Sequence, residues 1–565
     1  MAYEEKSTVK ILGIADNHDS GAALIQDGVV ISAINQERID RNKNSSAFPW
    51  GAIDAVLEQG SIRAREIDTI VIGTSYTPSA LLRLMPNFHQ QRKLTGQFSS
   101  ELHAYMVYQS ILRRTGLDRI ETAASRLVLQ RALKARRFEE TKIVLIDHHE
   151  AHAQGAYRTQ PHDRCLVLTL DAMGDGCTAS VWMGGDGKLI RLWDQSGLAA
   201  INLFYSRITE LLGFRPLRHE GKITGLSARG AIDPKLLKGF RKHVSFRNGK
   251  FTRMPIFRAA RKKDLLWRQV QSMNRDVVAA TAQQILEEVT CAYISHWVQK
   301  TGCGTIALAG GVFANVRLNQ KIANLNEVTS MWVLPHMGDG GLALGGALGF
   351  AQTPPRETQH VYFGSHHRSI DTTRAIQRHK PTIVRGNLIE ETAKIIAKGG
   401  IVARSCGGME WGPRALGNRS VFASVHDPSI NERLNEKLNR SEFMPFAPMV
   451  RREDANMYFV DVNRYGSCPR FMTTCMDTTK EFQKDAPAAV HIDGTARPQI
   501  IDKERQPEIH SLLTKLKEYT GVGVVINTSF NLHEEPIVCT PDESIRAAKE
   551  ARLDALWLGK QLLLF

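Results

Sequence analysis

An α/β fold with a duplicated first unit is predicted by three observations on this sequence. Short apolar strands alternate with longer helical patterns. One strand–turn–strand pattern occurs twice. Each copy closes its first strand with an aspartate beside a Gly-containing turn.

The first copy is residues 9–38, VKILGIADNHDSGAALIQDGVVISAINQER; the second is 165–195, CLVLTLDAMGDGCTASVWMGGDGKLIRLWDQ. In each, a buried-type strand ends at Asp16 or Asp171, a polar turn and a second strand follow, and a DG pair (Asp27-Gly28, Asp186-Gly187) leads to a third strand. A DG pair between apolar runs marks a tight hairpin. The aspartate has a use there: the turn's N–H groups can face phosphates while the carboxylate holds a metal or a water. Two such units across a cleft are the plan of the actin-like, sugar-kinase-like ATPase fold. Further strands are expected at Thr69–Gly73, Lys142–Ile146, Thr305–Ala309 and Met331–Leu334, with a long helix over Asp276–Thr301. Strands alternating with helices of this length argue an α/β architecture.

A chain of 565 residues is too long for a single core, so roughly two to four domains are expected. Apolar content of 42% with 23% charged residues is that of a globular protein. No apolar run reaches membrane-spanning length, and the polar start MAYEEKSTVK lacks a secretory pattern. The eight cysteines are scattered without a CxxC pair. That suits reduced thiols and a cytoplasmic location, with no membrane partner. Much of the net charge of +15 lies in the stretch 235–263, KLLKGFRKHVSFRNGKFTRMPIFRAARKK. Such a run can bind nucleic acid through phosphates, form a solvated helical face, or cover anionic substrates. No nucleic-acid-binding signature accompanies it, so nucleic acid is not the expected partner.

Residues 145–157, LIDHHEAHAQGAY, put three histidines directly after an apolar strand. If a helix starts after Asp147, His148 and His152 stack on one face, as two imidazoles binding one metal would. The alternative is a helix N-terminus whose histidines bond neighbouring backbone. Asp171, at the strand end of the second copy, and Asp339, in the Gly-rich turn PHMGDGGLALGGA, are candidate third and fourth ligands. Two histidines with carboxylates suit Fe²⁺, Zn²⁺ or Mn²⁺.

The second half reads as an anion-handling region. Arg414 and Arg419 sit in GPRALGNRS, Arg440 precedes PFAP, and Arg497 sits in GTARPQ. Guanidinium forks match phosphate oxygens. NTSFN supplies Asn527, Thr528, Ser529 and Asn531 at a strand end, small groups able to reach a carbamoyl or phosphate group. A linker is expected at Ala351–Gln359, where paired prolines lie among polar residues.

With these motifs assembled, the chain resembles the O-carbamoyltransferases of natural-product and nodulation-factor pathways, the NodU/CmcH type. The matching motifs are DHHEAHA, LDAMGDG, EGKITGLSARG, GGVFANVRLNQKI, GDGGLALGGA, EWGPRALGNRS, MPFAP, DGTARPQ and INTSFNLHEEPIVCTP, in family order across nearly the whole chain. The resemblance implies a TsaD-like transfer domain over 1–353, in halves of about 1–160 and 161–353, and an α+β YrdC-like domain over 354–565 that makes the activated donor. It implies His148, His152, Asp171 and Asp339 as metal ligands, with iron the expected ion. It puts forward Gly174, Asp175, Gly310, Gly311 and Asn315, with the arginines and the NTSFN residues, as cofactor-binding positions. His18 would be the base beside the acceptor hydroxyl, next to Asp16, and Lys222 would neutralise the AMP phosphate. For His18 a turn residue is the other reading, as is a plain surface lysine for Lys222.

The implied chemistry uses ATP, Mg²⁺ and carbamoyl phosphate to form carbamoyl adenylate, which carbamoylates a hydroxylated small molecule and releases AMP. A homodimer is one assembly the resemblance admits. The chain departs from the family pattern at Leu438 and Met444, where cations are usual, with Lys437 one position away, and at Asn44, where a histidine is frequent. A tRNA-modifying relative using the stretch 235–263, or a non-catalytic nucleotide-binding partner, are the competing readings.

Overall fold

The computed structural model describes residues 8–85, 100–199, 201–252, 265–440 and 446–565. Its first half holds two sheets of matching topology. Strands β1 (Lys10–Ala15), β2 (Gly21–Gln26), β3 (Val29–Asn35), β4 (Thr69–Ile72) and β5 (Lys142–Leu145) form a sheet ordered β3-β2-β1-β4-β5. Strands β6 (Cys165–Gly174), β7 (Cys177–Gly185) and β8 (Lys188–Ser196) come next. A two-stranded hairpin follows, β9 (Phe246–Arg247) with β10 (Lys250–Phe251), and then β11 (Thr305–Ala309) and β12 (Ser330–Val333). The second sheet is ordered β12-β11-β6-β7-β8. In both sheets the first three strands are antiparallel and the last two run parallel to the first. The duplication read from the sequence is therefore a duplication of topology: the chain has the actin-like, sugar-kinase-like α/β plan.

The DG turns behave as their chemistry requires. Asp27 and Gly28 have φ of 50° and 77°, and Asp186 and Gly187 have 51° and 68°. Two successive left-handed residues make the turn whose twist matches a hairpin. The second copy has a further DG turn at Asp175-Gly176, where the first copy has the longer loop 16–20. That longer loop carries Asn17 and His18.

The helix His148–Arg158 and the helix Leu342–Ala351 pack closely between the sheets. A Cβ on Gly345 would lie 2.1 Å from the Ala151 carbonyl oxygen, and one on Gly349 would lie 2.6 Å from the Gln154 side chain. The small residues of HEAHAQGAY and GLALGGALG let the two backbones approach, and this approach brings the histidine turn beside Asp339.

Residues 353–363 run without regular structure, held to the first half by Arg356 and Thr358 N–H groups donating to the Arg158 and Thr159 carbonyls. Beyond them lie β13 (Thr382–Ile383), β14 (Val402–Ser405), β15 (Arg419–Ala423), β16 (Ala447–Arg451), β17 (Met476–Asp477), β18 (Thr495–Ala496), β19 (Gln499–Ile501), β20 (Val524–Ser529), β21 (Ala555–Leu558) and β22 (Gln561–Leu564). Eight of these form one mixed sheet, β13-β22-β21-β14-β15-β20-β16-β19. Among the described residues no helix is long and apolar enough to cross a membrane. Of the basic stretch, 253–263 lies outside the described residues. The helix Pro234–Arg241 buries Leu236, Leu237 and Phe240 and pairs Arg241 with Glu288, which is the solvated-face reading for that part.

Candidate active site

Asp147 caps the helix that starts at His148, its side chain accepting the Glu150 N–H at 3.0 Å. Arg113 and Arg191 pair with Asp147, at 2.8 and 2.6 Å. Burial would push this carboxyl up, but the two guanidinium charges hold it well below the ordinary carboxylate range. The helix start is thus fixed, and with it the direction of the three imidazoles.

The three histidines divide the work. His149 points into the core, its Nδ1 accepting from Thr169 Oγ1 at 2.7 Å and its Nε2 donating to the Cys177 carbonyl at 3.1 Å. Burial drives its pKa well below the usual value, so it stays neutral. His148 and His152 face the opposite way. Their Nε2 atoms lie 3.1 and 3.4 Å from Asp171 Oδ2, and 3.7 and 3.6 Å from Asp339 Oδ1. One ligand atom from each of the four residues falls within 4.8 Å of the others.

Asp171 reaches this point because β6 bulges between Leu170 and Gly174, and a bulge re-aims the side chains within it. The Gly311 N–H holds its Oδ1 at 3.2 Å, leaving Oδ2 toward the histidines. Asn17 donates to Asp339 Oδ2 at 2.7 Å, leaving Oδ1 for the same point. Burial raises Asp171, yet the bond to His148 and the nearby His152 imidazole bring it well below the usual value. Asp339 is pushed well above, by burial and then by the Asp171 charge. His152 Nε2 is buried with no hydrogen-bond partner among the described residues. Two imidazoles and two carboxylates aimed at one point, one imidazole nitrogen lacking a proton partner, fit a divalent cation of borderline softness.

Gly174 and Gly310 serve this geometry by having no side chain. A Cβ on Gly174 would lie 2.1 Å from the His148 ring. Gly310 has φ of 105°, and its Cβ would meet the Leu170 carbonyl oxygen at 2.3 Å. Gly174→Ala is therefore expected to turn the His148 ring away and lower metal occupancy about 10–100-fold, the range for lost ligand support, measurable by competition with a chelator.

Several residues put forward as cofactor contacts are committed to the protein itself. The buried Asp175 carboxylate accepts the N–H groups of Ser75, Tyr76 and His148 at 2.7–2.9 Å. Asn315 caps the helix Val316–Ala323 and exchanges bonds with Gln283 and Thr224. Arg419 is buried and donates to the carbonyls of Cys406, Asn418, Ser365 and Gly407. Asn527 donates to the Ala415 carbonyl and Gln499 Oε1, both at 2.9 Å. In these four the polar groups bond within the protein: a Gly-rich polar motif serves the protein's own groups as readily as a ligand's.

Asp16 is paired within the protein as well. Arg83 binds it through Nε at 2.7 Å and Nη2 at 3.1 Å, both side chains buried, and Thr74 adds a hydrogen bond. Asp16 thereby anchors the loop bearing Asn17 and His18. His18 is a third exposed, 3.6 Å from Asp19. Glu220, raised by burial, is drawn back by bonds to Ser206 and the Leu217 N–H and also by the His18 charge. Asn17, the neighbour of His18, bonds Asp339, so the loop that bears His18 lies against the four-residue cluster. Lys222 lies half-buried with its Nζ 5.8 Å from the Phe214 ring centroid.

In the second half, Arg440 gathers the other expected groups. It donates to Thr528 Oγ1 at 2.9 Å, to Ser529 Oγ at 3.1 Å and to Asn531 Oδ1 at 2.8 Å. Arg414 and Arg497 lie around Cys475, whose thiol burial pushes up to about 12 against their charges. Leu438 is fully buried in the core, and the Lys437 ammonium bonds the Arg552 carbonyl. Met444 lies outside the described residues. Asn44, in left-handed backbone (φ 54°), joins Glu37 to Asp19. Asn17 and Arg83 were not foreseen: one is a common turn residue, the other a lone arginine on a short helix.

Comparison with known proteins agrees with this assembly. Residues 10–348 match the carbamoyltransferase N-terminus family and residues 393–564 the carbamoyltransferase C-terminus family. Protein MJ1058 of Methanocaldococcus jannaschii is 33% identical over 463 residues, covering 76% of this chain and 75% of that protein. Nodulation protein NolNO of Sinorhizobium fredii is 28% identical over 576 residues, covering 97% of this chain and 79% of that one. Nodulation protein U of Rhizobium tropici is 25% identical over 582 residues, covering 97% and 95%. With both halves matched in order and the conserved-type motifs converging in space, the chain belongs to the carbamoyltransferase family.

Proposed function

We propose that this carbamoyltransferase is an O-carbamoyltransferase working in two half-reactions. In the first, ATP, carbamoyl phosphate and water yield carbamoyl adenylate, pyrophosphate and inorganic phosphate: a carbamate oxygen bonds to the α-phosphorus as pyrophosphate leaves. In the second, an acceptor hydroxyl oxygen attacks the carbamoyl carbon, AMP leaves, and the hydroxyl proton passes to a base. The observation that carries the reading is the convergence of His148, His152, Asp171 and Asp339 within 4.8 Å, beside the loop that bears His18.

Arg440, with Thr528, Ser529 and Asn531, is the group suited to hold the donor's phosphate and carbamoyl oxygens in the second half. Arg414 and Arg497 add positive charge there. Mg²⁺ would accompany ATP. The four-residue cluster would hold Fe²⁺ or another divalent ion, which when bound supplies Lewis acidity and an anchor for oxygen ligands. Asn17 and the Gly311 N–H keep the two carboxylates turned inward. His18 takes the acceptor proton, and the Asp16–Arg83 pair holds its loop in register.

His18→Ala is expected to lower the transfer rate about 10²–10⁴-fold, the usual contribution of a general base, while ATP–pyrophosphate exchange dependent on carbamoyl phosphate persists. The function is tested by incubating the protein with ATP, carbamoyl phosphate and a panel of hydroxylated sugars, antibiotics and polyketides. A mass gain of one carbamoyl unit with AMP release supports it. Absence of exchange and of mass gain refutes it.

A further inference from the structure

Where the two halves meet, one carboxylate faces two arginines and two histidines. Glu534, in the turn after β20, has φ of 62°. Residues other than glycine, asparagine and aspartate seldom adopt that conformation. Its side chain extends to the first half, where Arg215, Arg218 and His219 stand at 3.9, 4.0 and 3.7 Å, and His533 lies at 3.7 Å. The exposed Lys43 lies next to them in space: Arg218 donates to its carbonyl at 2.9 Å.

These contacts are long. A hydrogen-bonded ion pair closes to about 2.8 Å, so Glu534 offsets one charge of the group without being gripped by it. The group is also open, with Arg218 20%, His219 24%, Arg215 35% and Glu534 44% exposed. It is continuous with the proposed base. Asn44, next to Lys43, donates to Asp19 at 2.7 Å, and Asp19 stands beside His18.

We propose that Arg215, Arg218 and His219, with Lys43, bind an acidic group on the acceptor, a carboxylate or a phosphate ester, and that Glu534 is the counter-ion this group displaces. The acceptor class is then hydroxylated acids, an inference that rests on the carbamoyl-transfer reading for what the bound molecule does next. The donor's phosphate is the other source of such an anion. The open setting favours the acceptor, because an activated carbamoyl group must be kept from water, whereas an acceptor arrives from solvent.

The test is calorimetric titration of the full chain with inorganic phosphate and with malonate, with and without saturating ATP. Glu534→Gly removes the carboxylate and suits the backbone. It is expected to tighten both anions about two- to fivefold, the effect of removing one exposed competing charge. The double variant Arg215→Ala, Arg218→Ala is expected to lose that binding, its fold checked by circular dichroism. The Glu534→Gly result stands by itself if the double variant does not fold. No measurable binding to the Glu534→Gly protein, or equal binding to it and to wild type, overturns the proposal. Loss of the Glu534-dependent binding when ATP is added gives the site to the donor and overturns the acceptor assignment. Calorimetry involves no turnover, so its failure is separate from a failure of carbamoyl transfer, which pyrophosphate exchange and mass gain register.

Discussion

His152→Ala is expected to abolish carbamoyl transfer to an acceptor while leaving carbamoyl-phosphate-dependent ATP–pyrophosphate exchange intact. His152 Nε2 is buried between Asp171 and Asp339 and makes no hydrogen bond among the described residues, so its removal takes away a ligand and little else. The alanine is itself a good helix residue, and the helix start is set by Asp147, not His152. The loss in transfer should reach at least about 10²–10³-fold, the range seen when one electrostatic stabiliser of a transition state is removed. On the proposed reading, exchange depends on groups such as Arg440 in the second half. Measuring both rates on one preparation separates the two sites. If exchange falls as far as transfer, the division of labour between the halves is wrong.

Arg83→Met is expected to destabilise the first half by about 3–5 kcal/mol, because it leaves the Asp16 carboxylate buried without its partner. Both side chains are nearly inaccessible and share two hydrogen bonds, so water cannot replace the guanidinium. For a unit of this size that loss lowers Tm by on the order of 10 °C. Asp16→Asn in the same chain should recover part of it, since a neutral amide costs less to bury alone than a charge. Differential scanning calorimetry of the two single variants and the double variant measures the coupling. The loop 16–20 loses its anchor with Arg83, so transfer should weaken in the single variant well below its melting transition. Unchanged Tm and unchanged transfer would place Asp16 in a different environment.

The parts legible in the sequence were those whose local chemistry fixes their geometry. DG turns force left-handed pairs, and both copies of the strand–turn–strand unit carry one, so the duplicated topology followed. His148 and His152 are one helical turn apart, and their shared face needed only a helix start, which Asp147 supplies. Asp171 and Asp339 stand in Gly-bearing turns at strand and helix ends, and the structure brings both to the histidines. What the sequence hid was direction. Asp175, Asn315 and Arg419 sit in motifs as polar and Gly-rich as any ligand loop, but turn toward other groups of the protein, backbone for Asp175 and Arg419 and largely side chains for Asn315. Pattern alone does not distinguish a carboxylate that accepts from Ser75 and Tyr76 from one that faces a phosphate. Partners distant in the chain were hidden for the same reason: Arg83 is 67 residues from Asp16, and Glu534 meets Arg218 only because the two halves are folded together.

The account depends on a cation held jointly by the helix His148–Arg158, the bulge of β6 and the turn at Asp339. Its most direct test is metal analysis of the purified full chain, wild type beside Asp339→Ala, by inductively coupled plasma mass spectrometry after exhaustive dialysis. The account predicts one divalent ion per wild-type chain and close to none in the variant. A wild-type chain that takes up no ion when supplied with Fe²⁺, Zn²⁺ or Mn²⁺, or equal occupancy in the two proteins, contradicts it.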